Sequence, residues 1–164
     1  MLVYHGSYME IKKADLNCSR HNLDFGKGFY VTTMREQADK WAVRKGRMSG
    51  KTPFVSVYEL DVSGLRILTF EGYTVDWLDF VVKNRAEEQN WHGYDAVYGN
   101  IADDDVATVI NDYMRLLKRG RMTENGKMFY LEQLQYSKPN NQYSIATQKG
   151  IEAMTFTESY TVEV

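Results

Sequence analysis

Two hydrophobic periods run through this chain, and the order in which they come narrows the fold more than any other feature. A half-buried strand alternates apolar and polar residues with a period of two, whereas a helix with one buried face repeats every three to four residues. Strand-like stretches cover residues 2–4, 26–33, 54–62, 65–70, 94–98 and 142–146, with a further strand in the tail from Phe156. Helical stretches run from Thr33 to near Gly46 and over residues 75–89, 104–119, 128–136 and 147–154. The two kinds interleave without internal repeat and without the regular strand–helix–strand alternation of a doubly wound sheet. That order predicts an α+β fold with helices flanking a sheet core.

Local chemistry supports the helices. Over 104–119, Val106, Val109, Ile110, Tyr113, Leu116 and Leu117 fall on one face; Asp103, Asp104 and Asp105 stand at its N-terminus and Lys118 and Arg119 at its C-terminus. Each charge suits the end of the helix dipole it occupies. Thr33 and Glu36 have capping-box spacing at the start of the first helix, whose apolar face is Ala38, Trp41 and Ala42. Leu78, Phe80, Val81 and Val82 turn inward from the second.

Composition then removes whole function classes. With 164 residues the chain fits one domain, residues 1–164, and 43% hydrophobic content excludes a disordered chain. Twenty Lys+Arg against 22 Asp+Glu give a net charge of -2, unlike a generic electrostatic binder of nucleic acid. One cysteine, Cys18, cannot close an internal disulfide, and with three histidines it falls short of the usual four-ligand zinc sites. No apolar run has the length of a signal peptide's or of a membrane span, so a soluble, cytoplasmic protein is expected. Twelve Tyr, seven Phe and three Trp are many for this length and call for explanation.

Several constellations have the chemistry of a site. Tyr4-His5-Gly6-Ser7 ends the first strand, where Gly lets a ligand approach the backbone; taken alone it reads more simply as a surface turn. Asp24-Phe25-Gly26-Lys27-Gly28-Phe29-Tyr30 places two glycines before an aromatic strand. It is either a phosphate loop of unusual spacing or a tight turn, and the chain lacks the other parts of a kinase that Asp-Phe-Gly would suggest. Asn140-Asn141-Gln142 opens a late strand as a site element or as a plain turn. Asp103, Asp104 and Asp105, near His92 and Glu87-Glu88, suit a magnesium site or simply a helix cap. A Cys18–His21 pair lacks an orienting third group. Arg115, Lys118, Arg119 and Arg121 form a basic cluster, which reads as a dock for an acidic partner or as a favourably charged helix end.

Taken in order, His5-Gly6-Ser7, Phe25-Gly26-Lys27-Gly28-Phe29-Tyr30 and Asn141-Gln142-Tyr143 resemble the His–Tyr–Glu signature of the ADP-ribosyltransferase superfamily. The closest likeness is to its diphtheria-toxin and poly(ADP-ribose) polymerase branch, and within it to small bacterial toxin-like domains of uncharacterised function. The resemblance spans residues 3 to about 156. It implies a split, mixed β-sheet core and NAD+ as substrate, with no metal. Under it, His5 holds the adenosine-side ribose, Gly6 clamps the nicotinamide carboxamide through its backbone, and Ser7 contacts ribose or phosphate. Gly28 and Phe29 line the same site, and Tyr30 and Trp41 sandwich the nicotinamide ring.

Two departures modify what the resemblance implies. Gln142 stands where the branch carries a catalytic Glu, and Ala38 where it carries a serine that holds the carboxamide. The implied activity is therefore mono-ADP-ribosylation of a macromolecular target, or NAD hydrolysis, by a toxin-type enzyme with a cognate antitoxin, with His5, Tyr30 and Gln142 as its catalytic residues. Two alternatives stand beside it: a catalytically inactive NAD- or ADP-ribose-binding or protein-interaction domain of the same fold, and an RNA-directed toxin using His5, His21 or His92 with the basic cluster.

Overall fold

The computed structural model describes residues 1–86, 91–102, 104–134 and 138–163, with the side chains of Asp104 and Asp105 left out. Its elements are β1 (Leu2–Ser7), β2 (Phe29–Val31), α1 (Arg35–Ser49), β3 (Phe54–Leu60), β4 (Ile67–Thr69), α2 (Val75–Ala86), β5 (Ala96–Gly99), α3 (Asp104–Lys118), α4 (Glu124–Leu134), β6 (Gln142–Ile145), α5 (Gln148–Glu152) and β7 (Met154–Thr161). The α+β class holds: the described residues form two sheets and five α-helices.

One sheet has the order β1-β3-β7 and the other β2-β6-β5-β4. Every pairing is antiparallel except that of β4 with β5, so the second sheet is mixed. A single bridge stitches the sheets together. Tyr4 and Thr32 exchange two backbone hydrogen bonds, Tyr4 N to Thr32 O at 2.8 Å and Thr32 N to Tyr4 O at 3.0 Å.

Strand alternation sorts the side chains into three layers of core. Val3, Phe29, Val31, Tyr58, Leu60, Ala96 and Ile145 fill the space between the sheets. Ala38 and Ala42 of α1 cover the outer face of the first sheet at Val55 and Val57. On the outer face of the second sheet, Val97 and Phe25 pack against Trp77, Leu78 and Val81 of α2, Val106, Ile110 and Tyr113 of α3, and Leu131 and Leu134 of α4. Trp77 is the largest fully buried side chain, and its indole Nε1 donates to Asn100 O at 3.0 Å.

Several boundaries differ from expectation, each for a local reason. Thr33 does not cap α1. Its hydroxyl and amide are both engaged by the Asn141 side chain, and Met34 takes the N-cap position without a side-chain bond. The helix continues through Gly46 to Ser49 and ends at Gly50 in the left-handed conformation (φ 64°). Gly46 is kept inside it because a Cβ there would stand 2.8 Å from Lys51 O. Helix α4 begins at Glu124, four residues before the predicted start, with the Thr123 hydroxyl accepting from Gly126 N at 3.1 Å. Thr147, the first residue of the predicted helix, caps α5 instead, and α5 is short, with β7 starting at Met154. The predicted ends of the second and fourth helices, through Gln89 and Tyr136, lie outside the described residues.

Candidate functional site at the split between the sheets

Past the Tyr4–Thr32 bridge, β1 and β2 part company. Neighbouring residues of an antiparallel strand direct their N–H and C=O groups to opposite edges. Tyr4 uses the edge facing β2, so Gly6 turns its amide and carbonyl to that same edge, where β2 no longer pairs. A donor and an acceptor are thus offered side by side, the complement of a primary carboxamide. Gly6 itself is demanded by packing: a Cβ would stand 2.2 Å from Ala38 O and 2.7 Å from Ala42 N of α1. The Gly6 carbonyl already accepts a 2.8 Å hydrogen bond from Lys45 Nζ. Burial, and after it the nearby Arg20, pulls that ammonium down to about 8.

His5 is half-buried beneath this edge. Its ring stacks on Phe29 at 4.4 Å between centroids, and Nδ1 lies 2.6 Å from Tyr30 O. A carbonyl only accepts, so Nδ1 carries the proton, and in the neutral ring Nε2 is left as a lone-pair acceptor. Burial first, and then the Lys45 charge, press the imidazole down to about 3, against the pull of the Tyr30 bond. His5 is neutral throughout the physiological range and can receive a hydrogen bond from a hydroxyl. Ser7, which follows, is buried.

Tyr30 points its ring to the outer face of the second sheet and returns its hydroxyl to the turn before it. The hydroxyl donates to Gly26 O at 2.7 Å and accepts from Phe25 N at 3.0 Å. Burial, aided by the charge of Asp24, raises the phenol well above its ordinary value. The phenol therefore stays protonated, and the ring's role is as a surface. Gly26 supplies the positive φ of 77° that this turn needs. Gly28 serves packing: a Cβ would meet Ser144 Oγ at 2.2 Å, and the Ser19 hydroxyl engages both its amide (3.0 Å) and its carbonyl (2.7 Å). This turn is thus strapped from within and leaves Gly28 no free amide for a phosphate. Phe29 likewise faces the inter-sheet core and touches the site only through the face it presents to His5.

Strand β6 brings the third motif alongside. Tyr30 pairs with Ser144 and Val31 with Tyr143. Asn141 bolts this corner: its Oδ1 accepts from Thr32 Oγ1 and Thr33 N, both at 3.0 Å, and its carbonyl accepts from Gln37 Nε2 at 2.6 Å. The Thr32 hydroxyl is thus engaged by Asn141, and the Thr33 hydroxyl accepts from Asn141 Nδ2 at 2.8 Å. Ala38 is buried, packed with Ala42 against Val55 and Val57 of β3. Gln142 is buried, with Nε2 at 3.5 Å from both Asp24 Oδ2 and Asn100 O.

Trp41 follows on α1, its Cβ 3.1 Å from where a Gly6 side chain would begin. It is 39% exposed, with the Arg44 guanidinium 5.4 Å from its ring centre. Among the described residues no ring contact joins Trp41 to Tyr30. The structure therefore gathers His5, Gly6, Tyr30 and Gln142 around one end of the split, with Trp41 on the adjoining helix. Two surface hollows lie elsewhere, along Val43 and Met48 of α1 and beside Phe70 and Phe80.

The remaining candidates separate from this place. His92 packs among Phe80, Trp91 and Tyr94. The exposed Cys18 thiol is directed at Asp15 Oδ2, 3.8 Å away. Among the described residues no group of three His, Cys, Asp or Glu side chains could hold a metal; Asp103 and Glu87-Glu88 lie outside them, as do the side chains of Asp104 and Asp105. In the basic cluster, Arg115 pairs with Asp112 at 3.1 Å, and Gly120, at φ 63°, closes α3. Among the described residues no helix is long and apolar enough to cross a membrane.

One group that sequence reading did not assign stands behind the site, beside Gln142. Asp24 Oδ1 receives Arg85 through Nη2 at 2.7 Å and Nε at 2.8 Å, and Oδ2 accepts from Ala102 N at 3.1 Å. Arg85 comes from α2, 61 residues along the chain, and no local signal links the two.

Residues 1–156 match the family model described as "Protein of unknown function (DUF3990)", and the chain belongs to that family. Neither the curated proteins nor the solved structures gave a match.

Proposed function

We propose that this domain is an NAD-dependent mono-ADP-ribosyltransferase of the bacterial toxin type, built on an ADP-ribosyltransferase-like split sheet. It acts in the cytoplasm, consumes NAD+ as substrate without a metal, and modifies a macromolecular acceptor; a cognate antitoxin protein would hold it in check. One observation carries the reading: three motifs far apart in sequence meet at the end of one split, with a neutral His5, a Gly6 edge that no strand pairs and the Tyr30 ring among them.

In this reading His5 Nε2 accepts from a ribose hydroxyl and the Gly6 edge grips the carboxamide. Lys45 shares or yields the Gly6 carbonyl, which has two lone pairs. Tyr30 and Trp41 flank the nicotinamide ring. The bond from ribose C1 to the nicotinamide nitrogen breaks, and its electron pair leaves with nicotinamide. The acceptor's nucleophile bonds to the oxocarbenium carbon and loses its proton. The Gln142 amide positions the ribose by a hydrogen bond but adds no negative charge, so a single transfer or hydrolysis fits better than polymer growth, which needs an acid to activate a ribose hydroxyl.

The same neutral amide, with Lys45 already on the Gly6 carbonyl, favours a second reading: a domain that binds NAD or ADP-ribose without turnover. Incubation with labelled NAD+ and candidate acceptors separates the two. The first reading expects nicotinamide release that His5→Ala and Tyr30→Ala abolish while the variants remain folded. Binding without release supports the second. If NAD+ neither raises the melting temperature nor is consumed, both fail.

A further inference from the structure

We infer that Asp24 is the positioning residue for Gln142: with Arg85 it forms a fixed carboxylate that turns the Gln142 amide nitrogen away, so the amide oxygen faces the cleft, and that leaves no room for a second acid at position 142. The inference rests on the proposed function for its catalytic meaning, and on geometry alone for the coupling itself.

The amide's orientation follows from its neighbours. Asp24 Oδ2 and Asn100 O both lie 3.5 Å from the same terminal atom of Gln142, and both are acceptors. Only an N–H2 is tolerated there, and the other terminal atom is then Oε1. The bonds are long, but the alternative sets oxygen against a carboxylate and a carbonyl. Asp24 cannot swing away, because Arg85 holds Oδ1 twice and the Ala102 amide holds Oδ2. The pair is well sheltered, with side-chain exposures of 19% for Arg85 and 16% for Asp24. Arg85 is itself fixed at its carbonyl by Asn22 Nδ2, at 3.0 Å.

This gives the departure at position 142 a physical cause. A glutamate there would set two carboxylates within hydrogen-bond reach of each other, with Arg85 already engaged; like charges so placed do not both ionise. Among the described residues the Asp24 charge also acts on Tyr30, whose phenol is held protonated beside it. The structure thus keeps its carboxylate one residue behind the cleft and presents a neutral acceptor in front of it. The Asp-Phe-Gly triplet, which resembles a metal loop in sequence, supplies this anchor instead.

The test is a cycle of Gln142→Glu, Asp24→Asn and the double variant. Melting temperature is followed from pH 4 to pH 8, a readout independent of NAD. Asp24 holds the introduced carboxyl protonated, so the Gln142→Glu protein loses melting temperature relative to wild type as pH rises above about 4.3, the ordinary Glu value. In the Asp24→Asn background Arg85 is released to the introduced acid, and the trend vanishes or reverses. Parallel curves with and without Asp24 overturn the coupling. For catalysis, Asp24→Asn lowers the kcat for NAD consumption on the order of tenfold with KM little changed, and lowers it no further in a Gln142→Ala background. An additive loss, or none in a folded Asp24→Asn protein, overturns the positioning role. A melting cycle of the expected sign in a protein indifferent to NAD overturns the proposed function and leaves the coupling in place.

Discussion

Acidification tests the state of His5. The folded protein holds this imidazole at about 3 against an ordinary 6.5. Because the folded value is the lower one, the unfolded chain takes up a proton that the folded chain refuses. The neutral-His contribution is complete above about pH 6.5 and is lost as pH falls toward 3. Between pH 7.5 and pH 5 the two values give a loss of about 2 kcal/mol, which for a domain of this size is roughly 4–8 °C in Tm. The control is His5→Asn, whose side-chain N–H2 can still donate to Tyr30 O but does not titrate. Urea unfolding of both proteins at both pH values isolates the effect, since His92, also lowered by burial, remains in each. Wild type is expected to lose about 2 kcal/mol more than the variant. If the two lose the same amount, His5 is not held neutral by the fold, and its assignment as a hydrogen-bond acceptor at Nε2 goes with it.

Three further outcomes can be checked by the same unfolding measurements. Gly6→Ala forces a methyl against Ala38 O and Ala42 N, so α1 must lift from β1, at a cost of about 1–3 kcal/mol or more; unchanged stability would show that α1 does not rest on this strand. Tyr30→Phe keeps the ring and removes the bonds to Gly26 O and Phe25 N, with an expected loss of about 1–3 kcal/mol and retained NAD affinity, read by calorimetry. Ser144→Ala should leave stability unchanged or raise it by up to about 1 kcal/mol, because Ser144 Oγ is the one buried side-chain N or O without a hydrogen-bond partner among the described residues.

Where the determinants were local, the sequence was readable. Helix α3 carries its apolar stripe and its end charges within sixteen residues, and it forms within a residue of the predicted range. Strand β6 likewise forms within a residue of its predicted range, whereas β1 runs on past its predicted end at Tyr4 to Ser7, because Gly6 and Ser7 pair with Val55 and Phe54, and β2 is confined to Phe29–Val31. What could not be read was contributed from a distance. The Thr33 cap lost to Asn141, a partner 108 residues away, because Asn141 satisfies both the hydroxyl and the amide. Trp77, absent from the predicted inward set, became the largest buried side chain because Asn100 O receives its N–H. Gly28 suggested a phosphate loop, yet the need for β6 to pass closely explains it. Asp24 showed no role until Arg85 and Gln142 were seen beside it.

The stitching of two sheets by one bridge also sets a timetable for synthesis. The first sheet is complete only when β7 joins β3, and the second only when β6 inserts between β2 and β5. Both late strands lie beyond residue 141, so β2, β3 and β5 each wait for a partner made after most of the chain has left the ribosome. Pairings this remote fold slowly, since loop closure precedes any reward from contact. At roughly 5–20 residues per second, translation takes several seconds or more to reach β6. Through that interval His5 and Tyr30 exist without the strand that carries Gln142, so a nascent chain holds the parts of the cleft but not the cleft.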